Sequence, residues 1–287
     1  MTRLCVAVAS AAVIVGCQRT TEAPKSAEQA HVVKVWRPLA DGVLFHFSHH
    51  ETKQQTLPDS SDTPLRRATL AYEGQALVVQ AKDGRAIHMN HTVSKLQWAV
   101  DNEPVQRLPT SGTVISAKVS SGKARFYIRN EPVGSELAAI LDEVFPHSGG
   151  ESFGWDEWFP PKGKRRVGDR WSMDPEAALS DAVRSSALPA TATASGTAQL
   201  MKVSTFAGTP VLIIHYDMTF KGVDAKAVTG EAGWMRVRLD VTVPIDENAI
   251  LPQRRRIRLT RYAFDTADAA HKTRSVFETT MAMTPVR

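Results

Sequence analysis

Cysteine is nearly missing from this chain. Its 287 residues hold two, Cys5 and Cys17, both close to the N-terminus. No disulfide and no cysteine-based metal cage can form in the rest, so any fold rests on an apolar core. Long apolar runs are missing beyond residue 16, which leaves no stretch of the ~20 residues that a membrane-crossing helix needs. Charge of one sign is missing too. Lys and Arg number 35 against 30 Asp and Glu, a net of +5, which is too small an excess to mark a nucleic-acid-binding surface. Strands and helices do not alternate along the chain, which excludes a doubly wound nucleotide-binding fold.

What the chain does carry starts at its first residues. Arg3 supplies a positive start, and Leu4 to Val15 form an apolar run interrupted only by Ser10. Gly16 is the small residue of a cleavage point. The run is too short to cross a bilayer. In Ile14-Val15-Gly16-Cys17 an aliphatic residue stands three before the cysteine and a small one directly before it. This stretch resembles the lipobox of bacterial lipoproteins. The resemblance implies cleavage between Gly16 and Cys17, a diacylglycerol on the Cys17 thiol and an acylated new N-terminus. Each buried methylene adds about 0.8 kcal/mol, and several chains together hold a protein to its membrane without further help. Gln18 follows the cysteine. By the enterobacterial sorting rule, in which Asp at this place retains a lipoprotein in the inner membrane, Gln18 implies an outer-membrane protein facing the periplasm.

The expected organisation is a signal peptide over 1–16, a lipidated cysteine with a polar stalk over 17–31, and a β-rich domain over 32–287. Within that domain, strands over 32–130 and over 190–287 flank a helical middle over 135–187. Period-two alternation carries the strand assignments. Val43, Phe45 and Phe47 share one face, as do Ala68, Leu70 and Tyr72. Glu73-Gly74 reads as a turn, with Leu77, Val79 and Ala81 forming the apolar face of the next strand. Asp83-Gly84 and Ser121-Gly122 read as hairpin turns. In the second half, Leu212, Ile214, Tyr216, Met218 and Phe220 share a face, and so do Met235, Val237, Leu239, Val241 and Val243. Ala207-Gly208 turns the first pair. Clean one-sided alternation predicts antiparallel strands with one wet face.

Between the strand runs the period changes. Leu137, Ile140, Leu141, Val144 and Phe145 fall at helical spacing after Ser135, the expected N-cap. Asp174-Pro175 opens a second helix with a cap and a first-turn proline. The predicted fold is mainly β with two helices: an antiparallel meander forming a curved sheet or unclosed barrel under a helical cover. This outline is similar to that of the periplasmic lipoprotein carriers, whose unclosed barrel holds acyl chains under a helical lid. The similarity implies an apolar cavity between sheet and helices, lined by Leu137, Ile140, Leu141, Val144 and Phe145.

Four further clusters carry chemistry in principle. Gly150-Glu151-Ser152-Phe153-Gly154 matches the nucleophile-elbow pattern, which would make Ser152 a hydrolase nucleophile. Its flanks, with Pro146 before and Pro160-Pro161 after, fit neither the strand nor the helix that the elbow requires. His46, His49, His50, His88 and His91 lie in two strand segments, but neighbouring histidines point to opposite faces, so no metal site is expected. Lys162 to Arg166 and Arg254 to Arg258 are basic runs, read as solvated faces or as contacts to anionic head groups. Trp155, Trp158, Phe159 and Trp171 gather around Val167-Gly168-Asp169-Arg170-Trp171, a segment that resembles uncharacterised secreted bacterial lipoproteins and brings no activity with it. The aromatics are expected to pin the helical middle to the sheet. The functional expectation is a lipid-anchored envelope protein without enzymatic activity or cofactor. It would be bound to the membrane through its N-terminal lipid and would hold an apolar ligand. A scaffold for another envelope protein is the second reading, and a serine hydrolase at Ser152 the third.

Overall fold

The alternating segments become strands of a single sheet. The computed structural model describes residues 29–56, 66–101, 103–104, 108–121, 123–145, 155–184, 188–223, 233–264 and 272–286. The first half contributes β1 (Leu44–Thr56), β2 (Arg66–Lys82), β3 (Arg85–Val100), β4 (Glu103–Pro104), β5 (Val114–Ser120), β6 (Lys123–Ile128) and β7 (Glu131–Pro132). The middle holds α1 (Ser135–Val144), α2 (Trp155–Trp158), β8 (Arg170–Ser172) and α3 (Pro175–Arg184). The second half contributes β9 (Thr193–Phe206), β10 (Thr209–Lys221), β11 (Trp234–Pro244), β12 (Gln253–Phe264) and β13 (Lys272–Pro285).

The sheet order is β7-β6-β5-β3-β2-β1-β13-β12-β11-β10-β9-β8, with β4 on β3 and every pairing antiparallel. The sheet is not closed into a barrel. The expected curved antiparallel sheet with helices is therefore the observed architecture. Two meanders are joined where the first long strand meets the last: Phe45 pairs with Pro285 and Thr56 with Arg274.

One sheet carries two apolar clusters, both on the face where the helices lie. The first gathers Phe45, Phe47, Leu70, Tyr72, Val78 and Phe126 under α1, and the second gathers Leu200, Ile214, Tyr216, Met218 and Leu239 under α2 and α3. The chain before β1 bridges them. Val33 and Val35 are buried in the second cluster. The Asp156 carboxylate of α2 accepts from the backbone amides of Val35 and Trp36, while Leu39 donates to the Gly84 carbonyl at the β2–β3 turn.

The turn chemistry holds at Asp83-Gly84 and Ala207-Gly208, where both residues take positive φ. Asp174 caps α3 through bonds from the amides of Glu176 and Ala177. Three local expectations are corrected. Glu73-Gly74 is no turn, because β2 runs straight through it and the glycine faces a close backbone neighbour. Since the strand does not break, Ala76 and Val78 continue the buried face set by Leu70 and Tyr72, and Leu77 and Val79 are exposed on the other. Ser135 is the first residue of α1, whose N-cap is Gly134 without a side-chain bond. A third helix, α2, was not expected; its four residues are too few for an apolar period to show.

Candidate functional site

The covered face is filled with side chains. Ile140, Leu141, Val144 and Phe145 are buried in the first cluster and Leu137 is half-buried against it. Phe145 stacks on His91 with ring centroids 3.7 Å apart and meets Tyr72 edge-on at 4.9 Å. Beside the end of α1 lies a cavity of about 310 Å³, lined by Glu51, Lys53, Arg66, Trp98 and Phe277, with Glu143 reaching in from the helix. Lys53 Nζ spans 3.0 Å to Glu51 and 2.8 Å to Glu143, tying helix to sheet. Burial by itself would raise the Glu51 carboxyl, but the nearby His49 ring, 3.7 Å away, and the Lys53 ammonium together outweigh it and hold the group below its ordinary value. Leu141 is fully buried. Leu141→Trp is therefore expected to cost about 1–3 kcal/mol by overfilling. Urea unfolding checks this, and an unchanged midpoint would mean free space beneath the helix.

The larger cavity lies on the other face. It is a groove of about 780 Å³ that reaches from β3 across the β1–β13 junction to β10. Two cross-strand rows form its floor. One runs Arg238, Arg258, Glu278, Thr52, Thr69, Ala99, with Asp217 next in line just beyond the lining; its neighbour runs His215, Asp240, Arg256, Thr280, His50, Ala71, Gln97. Successive residues on one face of a strand are about 7 Å apart, so the rows lie side by side. Both rows are charged at the β10–β13 end and carry short or neutral side chains at the β1–β3 end. Pro104 and Leu108 border the second end.

Ion pairs organise the charged end. Arg236 grips Asp217 through Nε and Nη2, and Arg238 Nε approaches the same carboxylate at 3.7 Å. The bond from Arg236 holds the Asp217 carboxyl below its ordinary value. Arg258 lies 3.3 Å from Glu278, and His215 Nδ1 lies 2.7 Å from Asp240. Arg254 stands over the Phe206 ring. Arg256 has no ion-pair partner among the described residues. Among the described residues the lining includes neither serine nor cysteine beside the His215–Asp240 pair.

The other sequence candidates scatter. His49 and His91 are buried on the covered face, while His46 and His50 stand on the open one. His88 bonds Ser116. No group of three or more metal-ligating side chains forms among the described residues. Trp155, Trp158 and Phe159 are buried against Tyr216 and Phe220, and buried Trp171 donates its indole N–H to the Phe159 carbonyl, so the aromatics pin the helical middle to the sheet. Arg165 stands over Trp171. Gly16, Cys17 and Ser152 lie outside the described residues.

The basic run Arg254 to Arg258, expected as a solvated face or as contacts to anionic head groups, places Arg254, Arg256 and Arg258 on the open face of β12. Nothing local signals that β1 and β13 pair, and only that pairing lays His50, Thr69 and Ala99 in line with the arginines.

No protein-family model and no curated protein sequence matches this chain. Among solved structures it is similar to lipovitellin, from a study of lipid–protein interactions, with a TM-score of 0.35 and 8% identity over 86% of this chain. The chain spans 26% of that lipovitellin chain. It is also similar to DynF from the dynemicin biosynthesis pathway of Micromonospora chersina, with a TM-score of 0.21 and 9% identity, covering 93% of this chain and 90% of that one.

Proposed function

We propose that this chain is a lipid-anchored protein of the cell envelope whose folded part binds a small amphipathic ligand in the open-face groove and does not transform it. The groove itself carries this reading. Its volume of about 780 Å³ falls in the range of small-molecule sites, and it crosses both halves of the sheet. The anchor rests on Ile14-Val15-Gly16-Cys17, and Gln18 favours the outer membrane facing the periplasm. The carrier-like cavity expected from the sequence moves, in this reading, from beneath the helices to the opposite face, because α1 already packs against the sheet.

Mass spectrometry of the full chain extracted from envelopes tests both parts. The parent is expected to carry acyl chains on Cys17 and one co-purifying amphiphile. Cys17→Ser should carry no acyl chains. Ala99→Trp, which fills the neutral end of the groove, should keep its acyl chains and lose the amphiphile. Equal amphiphile content in the parent and Ala99→Trp would sink the groove reading, and acylation persisting in Cys17→Ser would sink the anchor.

A second reading has its own observation. Leu44 and Leu77 pair across β1 and β2 on the open face, and both are more than a third exposed, as is nearby Val79. Such a patch suits contact with another envelope protein.

A further inference from the structure

We infer that the groove selects an anionic amphiphile: Arg256 holds a phosphate or carboxylate head, and the chain lies across the junction toward Ala71 and Ala99. This rests on the open face being the ligand site, and it adds the chemistry of the ligand.

The cations already engaged decide where a head group goes. Arg236 is committed to Asp217 by two bonds, Arg258 is beside Glu278, and Asp240 is bonded to His215. Arg256 sits between Asp240 and Thr280 in its row and is exposed, with no ion-pair partner among the described residues. A guanidinium presents a planar fork of donors that matches a carboxylate or phosphate edge through two parallel bonds. Arg238, held to Asp217 at 3.7 Å by one nitrogen, lies diagonally across from Arg256 and can turn toward the same anion.

The far end of the same rows has the opposite character. Ala71 and Ala99 leave the floor low, and Pro104 and Leu108 bound it with apolar surface. From β12 to β3 the chain would cross four strand intervals, about 19 Å. That is the length scale of a long acyl chain. A bare inorganic anion would leave the neutral end empty. A neutral lipid would leave Arg256 without a counter-charge. Nucleic acid fits poorly because Asp217, Asp240 and Glu278 stand among the arginines.

The test uses the full chain in its own membranes and three photoactivatable probes with the same diazirine-bearing acyl tail. Their heads are a carboxylate, a phosphate monoester and an alcohol. Cross-linked peptides are mapped by mass spectrometry. The expected result is labelling near Ala71 and Ala99 by both anionic probes, roughly tenfold or more above the alcohol, as suits a charge-assisted bond. Arg256→Glu, an exposed change verified to melt like the parent, should erase that preference, and Arg256→Lys should restore part of it. Stronger labelling by the phosphate probe would identify a phospholipid-like head, and stronger labelling by the carboxylate a fatty-acid-like one. Equal groove labelling by alcohol and anions would overturn the anionic assignment while the groove reading stands. A preference that survives Arg256→Glu would overturn the role of Arg256. No groove labelling by any probe would overturn the groove reading as well.

Discussion

Gly74→Ala is expected to destabilise the fold by about 3 kcal/mol or more, at the upper end of what overfilling a core costs. A β-carbon at Gly74 would stand 2.3 Å from the Thr92 carbonyl oxygen and 2.4 Å from the Tyr72 hydroxyl. The first obstacle is backbone and cannot rotate away. It lies so close because the β2–β3 register shifts between Glu73 and Gly74, leaving Ser94 as an extra residue on β3. A bulge bends its strand and brings backbone toward a neighbour where only glycine fits. Gly134→Ala is the control, since nothing lies within 4 Å of its added carbon. It should shift stability by less than about 1 kcal/mol, as changes away from such features do. Urea unfolding of both variants decides the matter, and similar midpoint losses would show that the bulge is not tight. Tyr72 adds a second arm. Its buried hydroxyl has no hydrogen-bond partner among the described residues, so Tyr72→Phe removes an unpaired polar group and should be neutral or stabilising. Combined with Gly74→Ala, it should recover only part of the loss, because the Thr92 oxygen remains.

Gly74 also marks where the sequence stopped being legible. A glycine after an acidic residue between two apolar alternations has the form of a turn. The competing cause, a close backbone approach, depends on a bulge in a partner strand that has no local signature. The longer strands were readable because their alternation is uninterrupted: Ile214, Tyr216, Met218 and Phe220 on β10 are all buried where the period placed them. The apolar stripe of α1 was readable for the same reason. The groove was not, since its rows run perpendicular to the chain and draw on β10, β11, β12, β13, β1, β2 and β3 in turn. A wet face on each strand was predictable. That several wet faces meet in one concavity depends on the pairing of β1 with β13, the most distant contact in sequence. The basic run of β12 reads in sequence as a solvated face or a contact to anionic head groups, and only that pairing sets it at one end of a groove.

Acid should weaken the fold through His91 well before it protonates the paired carboxylates. His91 lies on the covered face of β3, opposite Ala76 on β2 and Ile115 on β5, and its ring stacks on Phe145. Phe47 and Tyr72 close around its edges. Burial among these rings pushes its pKa down from 6.5 to about 3. The folded protein therefore keeps the imidazole neutral between pH 6.5 and about 3, while the unfolded chain takes up a proton over the same range. More protons on the unfolded state mean that stability falls as pH falls, by up to about 1.4 kcal/mol per unit. The loss starts below about 6.5 and levels off only below about 3, reaching roughly 5 kcal/mol in all. Glu51 and Asp217 act in the same direction, but their contributions start to be lost only near their ordinary values of 4.5 and 3.8. The interval from pH 6.5 to 4.5 thus isolates the histidine from them. His91→Phe keeps a ring against Phe145 and cannot titrate. Urea unfolding at several pH values across that interval should show the parent losing about 2–3 kcal/mol more than His91→Phe. Parallel curves for the two proteins would mean that the ring is already protonated in the fold, or that water reaches it beneath α1 and the core there is less closed than the stacking of Phe145 implies.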